Sequence, residues 1–129
     1  MKITIEVQYR NSDSGDTHEE SISVNTSNQE IEDLVITCKH DPSTDSFTNL
    51  FKRIYDNPTM DGAEKGLLYD ELWPVLSRCA FDDLGWHDVT VEILGILVED
   101  ESIGFDLDQI DNSLFALQLS RDGFMYCYN

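Results

Sequence analysis

The sequence predicts an α+β domain with a mostly antiparallel sheet of about five to six strands and two central helices packed on one face. Three observations favour this fold. The first ten residues alternate between apolar and polar side chains, the middle of the chain has helical spacing, and the region after Phe81 again contains short apolar runs separated by turn residues. A chain of 129 residues has the usual size of one domain, so residues 1–129 are expected to form a single acidic unit.

The N-terminal third predicts a hairpin and then a further strand. Met1–Arg10 alternates as a half-buried strand does, and the turn-forming residues Asn11–Thr17 separate it from the second alternating run, Glu20–Val24. The polar stretch Ser27–Asp33 is compatible with one helical turn. The β-branched run LVITCK, Leu34–Lys39, predicts a third strand.

The middle of the chain predicts two helices. The apolar residues of the first follow the spacing i, i+3, i+4 and i+7, at Phe47, Leu50, Phe51 and Ile54. Pro58 ends this helix, because proline disfavours helical backbone at the preceding residue. The second helix is expected from about Asp61 to Ala80, with a kink at Pro74.

The most apolar run, Val89–Val98, predicts a long central strand. Apolar residues occur on both of its faces, which indicates a strand covered on both sides. Simple alternation puts Leu97 on the same face as Val89, Val91 and Ile93, and puts Leu94, Ile96 and Val98 on the other. Gly95 indicates a bulge or a close backbone approach.

The last part of the chain predicts an acidic loop and a hairpin. Glu99–Ile103 has the composition of the loop. The segment Gly104–Asn112 is ambiguous between a short strand and a turn. Leu114–Ser120 and Phe124–Tyr128 are expected to pair through the turn that contains Gly123.

The charge balance is the most unusual property of the sequence. The chain has 26 acidic and 8 basic residues, a formal net charge of −18, although its 40% apolar content is that of a folded protein. Such a body repels nucleic acid, anionic membrane and acidic substrates, and it attracts basic protein surfaces. Solubility alone, or adaptation to high salt, is the alternative interpretation. Against the latter, the chain has only three alanines against ten isoleucines.

The three cysteines are far apart and show no metal-binding spacing, which favours buried free thiols in a reducing compartment. No run reaches the roughly 18 apolar residues of a membrane span, and the N-terminus has no signal-peptide pattern. The sequence therefore predicts a cytoplasmic protein without a membrane partner.

Familiar catalytic and metal-binding patterns are missing from the sequence. The acids Asp106, Asp108 and Asp111 resemble a calcium loop at first, but Asp111 stands where that loop needs glycine and Leu117 where it needs glutamate. The histidines do not form HxH or HExxH spacing, no GxSxG motif occurs, and no glycine pattern suits phosphate. We therefore expect no catalytic residue, no cofactor and no metal site, and we expect the protein to fold without metal.

The acidic flanks of Val89–Val98 are the candidate partner-binding site. No lysine or arginine occurs between Arg78 and Arg121. The candidate residues are Asp82, Asp83, Asp88, Glu99, Asp100, Glu101, Asp106, Asp108 and Asp111. They should lie on ordered structure at the two ends of the central strand, and the end from Glu99 to Asp111 should dominate because it has six acids in thirteen residues.

Small size, low isoelectric point and lack of catalytic motifs are also features of nucleic-acid mimics that block restriction or CRISPR systems. The leading hypothesis is therefore a non-enzymatic acidic inhibitor that binds the basic surface of a nuclease or another nucleic-acid-binding protein, and does not itself bind nucleic acid. An immunity protein that neutralises a basic nuclease toxin is an alternative with the same chemistry. A small enzyme that uses a carboxylate cluster is an alternative of another class.

Overall fold

The structure is a computed structural model, and it describes residues 1–55, 66–102, 116–121 and 123–127. The strands are β1 (Lys2–Asn11), β2 (Thr17–Asn25), β3 (Val89–Val98), β4 (Glu101–Ser102), β5 (Ala116–Ser120) and β6 (Gly123–Cys127). The helices are α1 (Gln29–His40), α2 (Thr44–Tyr55) and α3 (Tyr69–Ser77), and α3 continues into a π-helical segment, Arg78–Asp83. The predicted α+β class is confirmed.

The strands form one antiparallel sheet in the order β2-β1-β3-β5-β6, and the two-residue strand β4 pairs with β3. The predicted N-terminal and C-terminal hairpins are both present, as β1–β2 and β5–β6. Gly15, with φ of 79°, lies in the β1–β2 turn, where a positive φ suits glycine. β3 lies in the middle of the sheet, as expected.

The buried side chains of the strands all lie on one face of the sheet. The register places Ile5 of β1 between Ile22 and Ile96, and it places Tyr9 between His18 and Val91. The helices contribute Ile31, Phe51 and Leu72, among others, to the same core cluster. The helical layer therefore covers this face. On the opposite face the alternate residues, including Glu6, Arg10 and Glu19, are exposed.

The prediction of a third strand at Leu34–Lys39 is wrong, because this segment belongs to α1. Asn28 caps the helix, since its side-chain oxygen accepts hydrogen bonds from the backbone N–H groups of Glu30 (2.9 Å) and Ile31 (3.3 Å). Ile31, Val35 and Cys38 are buried at helical spacing. Their burial outweighs the strand preference of the β-branched residues, so the described part of the chain has three α-helices where two were predicted.

The predicted helix over 61–80 is shorter at its N-terminal side and longer at its C-terminal side. Within the described residues α3 begins at Tyr69, and residues 61–65 lie outside them. Pro74 lies inside α3, and the chain then widens into the π-helical segment. The bond from the Leu84 N–H to the Cys79 carbonyl (2.9 Å) has the five-residue spacing of a π-helix. Asp82 and Asp83 therefore lie on helical backbone.

A bulge divides β3, as Gly95 indicated. Glu6 pairs with Gly95 and Val7 pairs with Ile93, so Leu94 is the extra residue. The extra residue inverts the alternation, and the predicted faces after Gly95 are wrong. Ile96 and Val98 pair with Ile5 and Ile3 and lie with them on the helix-covered face of the sheet. Leu97 lies on the other face, which we call the open face.

Covering of β3 on both sides is not seen among the described residues, whose helices lie on one face of the sheet. Leu94 and Leu97 are only partly buried on the open face, whereas Val89 and Val91 are completely buried on the helix-covered face. The bulge explains why apolar residues occur at both odd-numbered and even-numbered positions of β3. It places the even-numbered residues after Gly95 on the same face as the odd-numbered residues before it.

The predicted loop Glu99–Ile103 is a tight turn at Glu99 and Asp100 followed by β4. The segment Gly104–Asn112, left ambiguous by the sequence, lies outside the described residues. Within the described ranges, no helix is long and apolar enough to cross a membrane.

Candidate functional site

The predicted partner-binding acids lie at the two ends of β3 wherever the structure describes them. Asp82, Asp83 and Asp88 lie near the Val89 end, and all three are exposed. Glu99, Asp100 and Glu101 lie at the Val98 end and are exposed as well. Asp106, Asp108 and Asp111 lie outside the described residues. Both described groups therefore lie at the ends of β3.

At the Val89 end, the β1–β2 turn adds two further carboxylates. The Ser12 N–H donates to the Asp88 carbonyl oxygen at 2.9 Å, which holds this turn beside the start of β3. We call the exposed acids here the Val89-end cluster; its members are Asp13, Asp16, Asp82, Asp83 and Asp88. Among the described residues, no ion pair involves any of the five.

The three acids at the Val98 end, the Val98-end cluster, are partly engaged by Lys2. The Glu99 carboxylate accepts the Lys2 backbone N–H at 2.7 Å, and the Glu99 N–H donates to the Lys2 carbonyl at 2.9 Å. The Lys2 ammonium donates to Asp100 Oδ1 at 3.0 Å. Glu99 and Asp100 also have φ of 50° and 64°, so they form the turn itself as well as its contacts. Glu101 has no ion pair among the described residues.

Several basic residues of the described chain contact acids or aromatic rings. Arg10 pairs with Glu92 at 2.7 Å on the open face of the sheet, and Arg53 pairs with Glu30 at 2.7 Å, which lowers the pKa of the Glu30 carboxyl. Arg121 lies over the Phe81 ring at 5.1 Å. The two arginines that bound the base-free stretch, Arg78 and Arg121, line one groove together with Asp82.

A second candidate site lies at the edge of the sheet, between β2 and the π-helical segment. We call it the edge cleft. It has a volume of about 360 Å³ and is lined by Tyr9, Glu20, Ser21, Ile22, Pro74, Val75, Arg78, Cys79 and Asp83. His18 lies at its rim, where its ring stands 6.2 Å from that of Tyr9.

Three potential ligand atoms converge in the edge cleft. His18 and Glu20 are two residues apart on β2 and point to the same face, and His18 Nε2 lies 2.7 Å from Glu20 Oε1. One ligand atom from each of His18, Glu20 and Cys79 lies within 4.8 Å of the other two. The π-helical segment contributes the thiol, because its wide turn buries Cys79, Ala80 and Phe81 in succession.

The polar groups at the bottom of the edge cleft are buried without full hydrogen bonding. Tyr9 is completely buried, and within the described part of the chain its hydroxyl is paired at most with the neighbouring Cys79 thiol, a weak hydrogen-bonding group. Burial, together with the neighbouring Cys79 and the carboxylates of Glu20 and Asp83, raises the pKa of the Tyr9 hydroxyl far above its ordinary value. Burial also raises the pKa of the Cys79 thiol.

This environment disfavours nucleophilic catalysis by Cys79. A catalytic cysteine needs a lowered pKa and an electropositive, accessible surrounding. Cys79 is only 9% exposed and lies near the carboxylates of Glu20 and Asp83, so its thiol keeps its proton at neutral pH. The donor atoms of the edge cleft fit the binding of a cation better than acyl transfer.

The edge cleft was missed in the sequence because its residues are distant along the chain. In the sequence, His18 shows no HxH or HExxH spacing, so these patterns do not mark it as a ligand. The informative signal was the spacing of His18 and Glu20, since residues two apart on a strand share a face. Cys79 joins them only through packing of the π-helical segment against β2, which no local pattern reveals.

Comparison with protein-family models, with curated proteins and with solved structures gives no match for this chain. Functional inference therefore depends on the residues and their geometry.

Proposed function

We propose that this protein is a non-enzymatic acidic inhibitor that binds the basic, nucleic-acid-binding surface of a target protein. One observation carries the proposal: the five exposed carboxylates of the Val89-end cluster have no ion pair among the described residues. Their charge is available to a partner. The net charge of −18 adds a long-range field of the same sign.

Ordered backbone supports the proposal, because a disordered acidic segment would lose conformational entropy on binding. Asp88 directly precedes the central strand, and Asp82 and Asp83 lie on the π-helical segment. The turn that carries Asp13 and Asp16 is closed by the bond from the Gly15 N–H to the Asn11 carbonyl at 2.8 Å. The carboxylates therefore project from fixed backbone positions.

The expected target is a protein whose groove is lined by lysine and arginine. Duplex DNA presents about one negative charge per 1.7 Å of its axis, and its binding proteins match this density with basic side chains. Acidic side chains on a rigid surface can occupy the same groove. A defence nuclease and a toxin nuclease both provide such a surface, and the identity of the captured partner will distinguish an anti-defence inhibitor from an immunity protein.

The two acidic clusters are too distant to act as one compact patch. A ten-residue strand separates them, or roughly 30 Å at about 3.3 Å per residue. Because Lys2 engages Glu99 and Asp100, we propose that the Val89-end cluster is the main contact among the described acids. This differs from the sequence-based expectation that the end from Glu99 to Asp111 dominates; three of the six acids at that end lie outside the described residues.

The proposal is tested by affinity capture from host lysate with the wild-type protein and two charge-reversal variants. The test variant carries Asp13→Lys, Asp82→Lys and Asp88→Lys. A control variant of equal charge carries Asp33→Lys, Asp41→Lys and Asp45→Lys, at exposed positions of the α1–α2 region. Captured proteins are identified by mass spectrometry, and thermal unfolding confirms that both variants fold.

We expect the wild type and the control to capture a nuclease or another nucleic-acid-binding protein, and the test variant to lose it. Duplex DNA added in excess should displace the inhibitor, because both ligands occupy one groove. The proposal is wrong if the captured partner is acidic, if DNA does not compete, or if both variants lose capture equally.

A further inference from the structure

The edge cleft combines three kinds of metal ligand on two elements of the fold. The imidazole of His18 and the carboxylate of Glu20 come from β2, and the thiol of Cys79 comes from the π-helical segment. The three ligand atoms lie within 4.8 Å of one another. In a tetrahedral zinc site, bonds of about 2.0 Å to nitrogen and 2.3 Å to sulfur place ligand atoms roughly 3.5 Å apart. Rotation of the solvent-accessible His18 and Glu20 side chains can close this difference.

The donor set determines which cation fits. Calcium and magnesium bind oxygen atoms, whereas zinc and similar borderline-soft ions accept nitrogen, oxygen and sulfur together. A cysteine among the ligands therefore selects the zinc class over the hard cations. With three protein ligands, the fourth position of a tetrahedral site is left to water.

The Tyr9 hydroxyl is an independent indication of a ligand at this site. It is completely buried, lines the same cleft and, among the described residues, has no partner stronger than the neighbouring Cys79 thiol. A buried hydroxyl with only a weak thiol partner is costly, so it requires an explanation. Metal binding would convert the neighbouring Cys79 thiol to a thiolate, and a thiolate sulfur accepts the hydrogen bond that the hydroxyl has to donate.

We propose that the edge cleft is a binding site for a zinc-class divalent cation, with His18 Nε2, a Glu20 carboxylate oxygen and Cys79 Sγ as ligands. Tyr9 acts as a positioning residue that donates its hydroxyl hydrogen to the metal-bound thiolate. On binding, Cys79 releases its proton to solvent as the sulfur–metal bond forms, so charge and protons balance. The ion connects the edge strand β2 to the π-helical segment.

The local charges are compatible with this site. The Asp83 carboxylate lines the cleft and adds negative charge near the ligands, while Arg78 is the cation on the same wall. A cation gains more from Glu20, Asp83 and the thiolate than it loses to one exposed arginine. The rim is open at His18 and Glu20, whose side chains are 39% and 47% exposed, so an ion can enter from solvent.

The experiment uses the full-length, metal-free protein titrated with Zn²⁺, and with Co²⁺ as a spectroscopic probe. We expect one equivalent of Zn²⁺ to bind tightly and Co²⁺ to give a thiolate-to-metal charge-transfer band with the strong visible bands of tetrahedral cobalt. His18→Ala, Glu20→Gln and Cys79→Ser should each weaken binding on the order of 100-fold or more, and Tyr9→Phe about 10-fold.

Matched controls separate this site from general attraction of cations to an acidic protein. His87→Ala and Cys38→Ser change an exposed histidine and a buried thiol elsewhere, and they should leave the titration unchanged. Excess Mg²⁺ should displace surface-bound ions but not the specific one. His18→Ala and Glu20→Gln alter surface side chains, so they test the site even if Cys79→Ser fails to fold. Absence of the thiolate band, or equal Zn²⁺ affinity of wild type, His18→Ala and Glu20→Gln, would overturn the proposal.

Discussion

The two ends of β3 have similar acidic composition but use their carboxylates differently. At the Val98 end, Glu99 and Asp100 form the turn to β4 and bind Lys2 through its backbone and its ammonium group. At the Val89 end, the carboxylates of the cluster form no ion pair within the described part of the chain. Acids of one type therefore stabilise local structure at one end and leave unneutralised charge at the other.

This difference shows why a run of acidic residues is a poor guide to function by itself. The sequence favoured the end from Glu99 to Asp111 because it has more acids in fewer residues. We propose the other end among the described acids, since a carboxylate that already binds an ammonium group gains less from a second cation.

The largest effect should appear in the rate constant for association with the captured partner. Asp82→Lys with Asp88→Lys should slow association on the order of 100-fold at low salt, because the unpaired charges steer the encounter. Asp100→Lys with Glu101→Lys, an equal change in charge, should slow it by less than about 10-fold. Stopped-flow kinetics at low and high ionic strength measures both. Equal effects of the two pairs would remove the distinction between the ends.

The second effect concerns Tyr9, whose hydroxyl lies beneath the Val89 end. Tyr9→Phe removes a buried hydroxyl whose partner among the described residues is at most the weak Cys79 thiol, so it should raise the free energy of unfolding of the metal-free protein by about 1 kcal/mol at neutral pH. Urea unfolding measures the change. A loss of stability would mean that the hydroxyl is satisfied in solution.

The same variant should alter the alkaline limit of stability. The pKa of Tyr9 is raised in the folded protein, so the unfolded state releases this proton first as the pH rises. The stability that comes from keeping Tyr9 protonated in the folded protein is therefore complete below about pH 10, the pKa of tyrosine in the unfolded state. It is lost as the pH rises above that value. Wild type should lose stability more steeply than Tyr9→Phe beyond about pH 10. Parallel melting curves from pH 8 to 11 would contradict this assignment.

The third effect concerns the turn at the Val98 end. Asp100 has φ of 64°, a conformation that costs a non-glycine residue about 1 kcal/mol. Asp100→Gly should therefore raise the free energy of unfolding by roughly 0.5 kcal/mol, after the loss of its exposed ion pair with Lys2. Asp88→Gly is the matched control, since Asp88 does not have a positive φ, and it should give no gain. A gain for both variants would point to relief of charge repulsion instead.

The smallest effect should come from Lys2. Its ammonium group and Asp100 are both well exposed, so Lys2→Met should cost less than about 1 kcal/mol, and about 1 M salt should remove the difference. A double-mutant cycle with Asp100→Asn isolates the pair. A coupling energy that persists at high salt would show that Lys2 fixes the turn through more than its charge.

The sequence by itself determined the elements whose patterns are local. The alternation of β1 and β2, the turn before β2, the helical spacing of α2 and the final hairpin are all found as predicted. Each depends on side-chain periodicity or turn residues within about ten positions. The α+β class followed from the order of these elements.

Tertiary structure decided the elements for which local preference and burial disagree. In α1, the β-branched run favours a strand, but burial of Ile31, Val35 and Cys38 against the core requires a helix. In β3, the bulge at Leu94 exchanges the faces of all later residues, and its position is fixed by pairing with β1. One inserted residue therefore makes alternation misleading.

Only tertiary structure brought the edge cleft together and separated the two acidic clusters by their contacts. His18, Glu20 and Cys79 meet because the π-helical segment packs beside the edge strand, which depends on contacts between residues about 60 positions apart. Net charge, by contrast, was determined by composition alone. Charge adds up along a chain regardless of its fold, whereas a ligand set or an ion pair exists only where folding places the atoms within a few ångströms of one another.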